Sequence, residues 1–163
     1  MLSIIVAIGD GNNAIGRQGE LLCHLPSDLR HFKEITAGHT VVMGRRTWFS
    51  LPKHPLPNRR NIVITDIQDE QFSGAETIYS IDGLSSIVSL EEEVFIIGGG
   101  MVYRQFMPIA DKLYITHLHH CFDDADTFFP KIEKQVWRLT ESEYHDADEK
   151  NPIPYSFAEY ERK

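Results

Sequence analysis

Ile96-Ile97-Gly98-Gly99-Gly100-Met101-Val102-Tyr103 runs from an unbroken apolar stretch through three glycines into a segment able to start a helix. An apolar stretch without alternation suits a strand covered on both faces, as in a parallel sheet. A strand leading through glycines into a helix also lets backbone N–H groups approach a phosphate closely, helped by the positive end of the helix dipole. The triplet is neither a GxGxxG fingerprint nor a Walker loop, and a plain tight turn is the commoner cause of such a run. The junction recurs, however, at Val42-Met43-Gly44-Arg45-Arg46-Thr47-Trp48, now with two arginines and a threonine at the helix start. Two such junctions on one sheet point to a ligand carrying several phosphates, namely a dinucleotide.

Periodicity in the rest of the chain predicts strands at Ile4–Ile8, Thr40–Met43, Asn61–Thr65, Glu76–Tyr79, Val94–Ile97, Leu113–His119, Val136–Tyr144 and Tyr155–Glu161. Helices are predicted at Ser27–Thr36, Arg45–Leu51, Asp82–Leu90 and Met101–Met107, with Gly38 and Pro108 beyond two of them as stop signals. The order mostly alternates, which means α/β: an eight-stranded, mixed, mostly parallel sheet with four flanking helices. No helix separates the last two strands, so the C-terminal edge is expected to be antiparallel. The chain has 163 residues, without repeat or linker, and reads as a single domain over 1–163.

Composition narrows the function classes. The longest aliphatic run, Ile4–Ile8, is far below the ~18 residues of a membrane span, and no secretory signal is apparent, so neither membrane nor export is expected. Cys23 and Cys121 lie far apart without CxxC spacing, which argues against a disulfide framework and for a reducing cytoplasm. The net charge of −8 disfavours nucleic acid. Residues 1–60 nevertheless hold eight Lys/Arg against four Asp/Glu, and residues 61–163 eight against twenty. Positive charge concentrated in one segment suits a small anionic ligand, although accidental clustering of solvated charge explains it equally well.

The first helix carries an apolar stripe of Leu25, Leu29, Phe32 and Ile35. Asp28 lies on that stripe, three after Leu25 and four before Phe32, whereas Arg30, Lys33 and Glu34 project toward water. A carboxylate aimed at an apolar interior is costly unless something there pairs with it or binds it. Asp28 could instead serve the helix N-terminus, but Ser27 is available as a cap, which shifts the weight toward a ligand-binding acid.

With Ile15-Gly16, Leu25-Pro26-Ser27-Asp28-Leu29, Met43 to Trp48, Leu56-Pro57-Asn58-Arg59, Ile97-Gly98-Gly99-Gly100, Leu113-Tyr114-Ile115-Thr116-His117 and His145-Asp146-Ala147-Asp148 in order, the chain resembles the dihydrofolate reductases of bacterial chromosomal type over essentially its whole length. The resemblance implies NADPH as hydride donor, dihydrofolate as substrate, antifolate inhibitors as ligands, a monomer, and no metal. It implies that Asp28 is the catalytic acid of the pterin pocket, backed by Thr116. Ile5, Leu29, Phe32, Leu51, Leu56, Ile97 and Tyr103 would wall that pocket, and Arg59 would clamp the substrate's glutamate carboxylate. Toward the cofactor it implies Ala7, Ile15, Gly16, Gly44, Arg45, Arg46, Thr47, Ile64, Thr65, Gly98, Gly99, Gly100, Met101, Val102 and Tyr103, with a cis peptide between Gly98 and Gly99. Hydride would pass to C6 of the pterin, and N5 would gain its proton from water.

The chain departs from that pattern in places. Leu22-Cys23 stands where the family carries Pro-Trp, Asp66 where a small hydroxyl is frequent near the cofactor's 2′-phosphate, and Met101 where a basic residue is common. Preference for NADPH over NADH therefore rests mainly on Arg45, Arg46 and Thr47. Pro152 and Pro154 remove backbone donors from a late loop. A reductase of riboflavin biosynthesis on the same fold should lack an acid on the first helix. A metal site built from His117, His119, His120, Cys121, Asp123, Asp124 and Asp126 is the rival from another class, and a solvated edge strand running into an acidic loop is the favoured reading of those residues.

Overall fold

The computed structural model describes residues 1–163. Its strands are β1 (Leu2–Gly9), β2 (Ala14–Gly16), β3 (Thr40–Gly44), β4 (Arg60–Ile64), β5 (Glu76–Ile78), β6 (Val94–Ile96), β7 (Lys112–Leu118), β8 (Thr127–Phe128), β9 (Trp137–His145) and β10 (Tyr155–Arg162). The helices are α1 (Pro26–Thr36), α2 (Arg45–Ser50), α3 (Ile81–Ser85) and α4 (Gly100–Phe106). Eight strands form one sheet in the order β5-β4-β3-β6-β1-β7-β10-β9. All pairs from β5 to β7 are parallel, and β10 runs antiparallel to both β7 and β9.

The unbroken apolar runs have a direct cause. Residues of one strand alternate between two cores on opposite faces of the sheet. Ile4, Ile8, Val42, Ile62, Val94 and Ile96 enter the larger core with Val102, Tyr103 and Phe106 of α4 and Leu84 of α3. Their neighbours Ile5, Val41, Met43, Val63 and Phe95 enter the other with Trp48 of α2, and Phe32 and Ile35 of α1 pack against it. Because Ile62 is 0% exposed, Ile62→Val should cost about 1 kcal/mol through one lost methylene and its void, read from the urea midpoint.

Several expectations need correction. β2 and β8, a separate two-stranded sheet, are three and two residues long, too short to leave a periodic signal. α3 covers only five residues rather than reaching Leu90, which is 96% exposed and contributes nothing to an apolar face. β7 ends at Leu118 instead of carrying His119, because the chain turns there and the His120 amide bonds Leu118 O at 2.8 Å. Ser27 does not cap α1: the N-cap position is Leu25 with no capping side chain, and Pro26 opens the helix. Asn151, 124 residues away, accepts the Ser27 amide on Oδ1 at 3.1 Å and donates through Nδ2 to Ser27 Oγ at 3.0 Å. No helix is long and apolar enough to cross a membrane.

Candidate active site

The site forms where β1, β3, β4, β6 and β7 end, the side of a parallel sheet at which ligand crevices open. A small third core of Leu25, Leu118 and Tyr155 underlies it, with Ala7, Cys23 and Phe157 against it. The cleft above opens between walls of Ala7, Ile15, Leu21, Leu22, Cys23, Leu25, Leu29 and Leu118, with Asp28 the one charged group. Leu29, read from its spacing as a core residue, is 44% exposed, because nothing in the chain covers the mouth of the cleft. Leu21, Leu22, Cys23 and Leu118 join the lining although periodicity offers no sign of it. Three of them lie on a loop, and Leu118 reaches the cleft only through strand pairing.

Asp28 is half-buried in the first turn of α1. Thr116, on β7, donates its hydroxyl to Asp28 Oδ1 at 2.6 Å, so helix and strand are joined through the acid. Burial pushes the carboxyl above the usual range, and the Thr116 bond and nearby His31 pull it partly back. His31 itself stacks on Phe157 of β10, ring centroids 3.8 Å apart.

Phe32, Leu51, Leu56 and Ile97 pack together against the smaller core, next to Ile5, and continue the apolar surface along α1. Arg59 lies at its far end. Its Nε donates to Pro57 O and its Nη1 to Thr36 Oγ1, both at 2.9 Å, with the guanidinium carbon 5.9 Å from the centre of the Phe32 ring. Arg59 is partly buried and has no carboxylate partner, and its burial draws its pKa down. A fixed cation without an anion is an open demand for one.

Across the cleft, β6 and β3 lead into α4 and α2. The Gly98–Gly99 peptide is cis, and the Gly44 amide donates to Gly98 O at 2.8 Å, which locks the two junctions together. Gly98 has φ +130°, and a Cβ there would lie 3.3 Å from both Thr47 Oγ1 and the Tyr103 hydroxyl oxygen, so the rim is a cradle that a side chain would fill. A Cβ on Gly100 would come within 2.6 Å of Thr127 Cγ2, beside Ile15 of β2. Tyr103 is buried, its hydroxyl donating to Ile5 O at 2.9 Å, so only its hydroxyl end reaches the rim. Val102 is buried, Met101 is 69% exposed, and Gly16 and Ile64 are half-buried. Arg46 is exposed and unpaired, whereas Arg45 and Thr65 both bond Glu70, a residue that its sequence surroundings give no reason to single out.

The histidine and acid cluster disperses. His117 Nε2 meets the Tyr160 hydroxyl at 2.8 Å, His119 lies between Asp10 Oδ2 at 2.9 Å and Ser156 Oγ at 2.8 Å, and His120 packs on Phe122. Cys121 leans on Asp123, Asp124 pairs with Arg17, and Asp126 accepts the Gln18 amide. No three His, Cys, Asp or Glu side chains gather as a metal-ligand set.

Fold and cleft define a small α/β enzyme whose one charged cleft residue is a carboxylate and whose glycine and arginine rim suits a phosphate-bearing partner. The dihydrofolate reductase family model matches residues 1–162. The dihydrofolate reductase of Bacillus subtilis (strain 168) is 45% identical over 163 residues, 100% of this chain and 95% of that protein. The type 3 dihydrofolate reductase of Salmonella typhimurium is 40% identical, covering 100% and 99%. Among solved structures, dihydrofolate reductase from Enterococcus faecalis, complexed with NADP(H) and RAB-propyl, superposes with a TM-score of 0.90 at 37% identity, over 100% of this chain and 96% of that one. The chain belongs to the dihydrofolate reductase family.

Proposed function

We propose that the protein catalyses NADPH-dependent reduction of 7,8-dihydrofolate to 5,6,7,8-tetrahydrofolate, supplying one-carbon metabolism. The observation that carries this reading is Asp28, held half-buried in an apolar cleft with Oδ1 bonded to Thr116 and no protein donor on its other oxygen. A carboxylate so presented accepts a ring N–H and the neighbouring amino group of a pterin. Ile5, Leu29, Phe32, Leu51, Leu56 and Ile97 give the flat ring its walls, with Thr116 and the Tyr103 hydroxyl beside them, and Arg59 takes a carboxylate of the glutamate tail.

The rim fits NADPH through the Gly98 cradle and its donor set. Gly44, Arg45, Arg46, Thr47, Ile64 and Thr65 would hold the adenosine and its phosphates. Gly98, Gly99, Gly100, Met101, Val102 and Tyr103 would hold the pyrophosphate and nicotinamide side, with Ala7, Ile15 and Gly16 at the carboxamide. When bound, NADPH supplies the hydride for C6 of the pterin.

The chain's own groups do the rest. Leu21, Leu22 and Cys23 wall the cleft against bulk water, which strengthens the field of Asp28 inside it. That negative charge favours the pterin protonated at N5, the form that accepts hydride, and the proton itself comes from water. We read the protein as a monomer, and the free thiols Cys23 and Cys121 suit the cytoplasm. Antifolates would occupy the same cleft and face the same carboxylate. Mixing the protein with NADPH and dihydrofolate should give a loss of near-ultraviolet cofactor absorbance that depends on the substrate. Absence of such a loss would end this reading.

A further inference from the structure

The rim contains an anion site that the protein itself already fills. Arg45 presents its guanidinium fork to Glu70, with Nε 3.1 Å from both carboxylate oxygens and Nη2 2.9 Å from Oε2. Thr65, just past β4, donates its hydroxyl to Glu70 Oε1 at 2.7 Å and accepts the Ile67 amide at 3.1 Å. A fork and a hydroxyl converging on a planar anion are also what a phosphate asks for. The Glu70 side chain is 16% exposed, so it is a seated ligand rather than a loose surface charge. The Arg45 guanidinium carbon also lies 5.3 Å from the centre of the Phe49 ring, which steadies it further.

We propose that Glu70 is a specificity-determining residue, an internal carboxylate that competes with the cofactor's 2′-phosphate for Arg45 and Thr65 and so weakens discrimination between NADPH and NADH. The inference rests on the proposed reading of Arg45 and Thr65 among the residues that hold the adenosine and its phosphates, and within that group it assigns them the 2′-phosphate. A ligand phosphate reaches that site only in the fraction of molecules in which Glu70 has swung away, and its apparent affinity falls by that fraction. Asp66, which adds its own field at Arg45, raises the barrier to a second anion. A nucleotide without the 2′-phosphate leaves the ion pair undisturbed. The pair also holds the Arg45 guanidinium in place before any ligand arrives, so selectivity is reduced rather than abolished.

The test is calorimetric titration of adenosine 2′,5′-bisphosphate and adenosine 5′-monophosphate, at one ionic strength, into the intact protein and its Glu70→Gln and Glu70→Ala variants. Both variants should bind the bisphosphate about 5- to 10-fold more tightly, with the monophosphate unchanged and thermal unfolding confirming the folded state. Unchanged or weaker bisphosphate binding in both variants would overturn the proposal, since Glu70 would then only orient Arg45. Arg45→Ala, titrated alongside, checks the underlying site separately. If it leaves bisphosphate affinity intact while the Glu70 variants also bind as the parent does, the 2′-phosphate is held elsewhere and the site assignment itself fails.

Discussion

Asp28→Asn is expected to lower turnover near neutral pH by about 10²- to 10³-fold, the range associated with removing one preorganised electrostatic stabiliser. The substitution keeps the shape of the side chain and an oxygen able to accept from Thr116, so the joint between α1 and β7 survives. What it removes is the charge. An amide turns one acceptor into a donor, so it faces the pterin's paired donors with a mismatch, and it no longer favours protonation at N5. As the pH falls, substrate arrives already protonated, and the variant should recover in part. The parent enzyme should slow at alkaline pH for the same reason.

Stability separates this role from a structural one. Burial raises the carboxyl of Asp28 in the folded protein, so the native state holds that proton more tightly than the unfolded chain does. The stabilisation this gives is complete below the unfolded pKa, ~3.9, and is lost as pH rises through the raised folded value. At neutral pH the ionised side chain is therefore a burden on folding. Asp28→Asn should be at least as resistant to urea as the parent while being a far poorer enzyme. Normal hydride transfer across the pH range would make Asp28 merely a first-turn helix acid, and a large fall in the urea midpoint would make it a structural one.

Arg59→Ala should weaken dihydrofolate binding on the order of 10²-fold, roughly 2.7 kcal/mol, within the range for truncating one partner of a hydrogen-bonded charge pair. A pterin without the glutamate tail should bind the variant as it binds the parent. The guanidinium is held by Thr36 and Pro57 before any ligand arrives, so the parent orders little at that point on binding. Thr36 Oγ1 still donates to Phe32 O at 2.8 Å after the truncation, so no buried hydroxyl is orphaned and the fold should hold. Arg59→Lys should fall between the two, keeping the charge but losing the fork. Equal weakening of both ligands by Arg59→Ala would show that Arg59 supports the Phe32 side of the cleft and does not clamp a carboxylate.

The main sheet is legible in the sequence. Ile4, Ile5 and Val41 to Met43 announce strands covered twice, because a two-residue period with both faces apolar leaves no polar alternation to read. The sequence also singles out Asp28, since one carboxylate on an apolar helical stripe conflicts with the local pattern, and such conflicts gather at functional sites. Spaced motifs carried the family, which the comparisons established.

Contacts between distant segments exist only once the chain has folded. Asn151 holding Ser27, Thr116 holding Asp28 and Thr36 holding Arg59 span 124, 88 and 23 residues. No local period records a partner so far along the chain. Leu29 shows the same limit in reverse. Its spacing marks it as core, yet whether a position on an apolar stripe is covered depends on what packs over it, and over Leu29 the fold leaves a cleft. Glu70 carries no local mark at all, in a polar loop where any acid would pass as solvated. Only the folded chain brings its carboxylate onto Arg45 and Thr65, because charge pairing at a few ångströms is set by three-dimensional distance and not by separation in sequence.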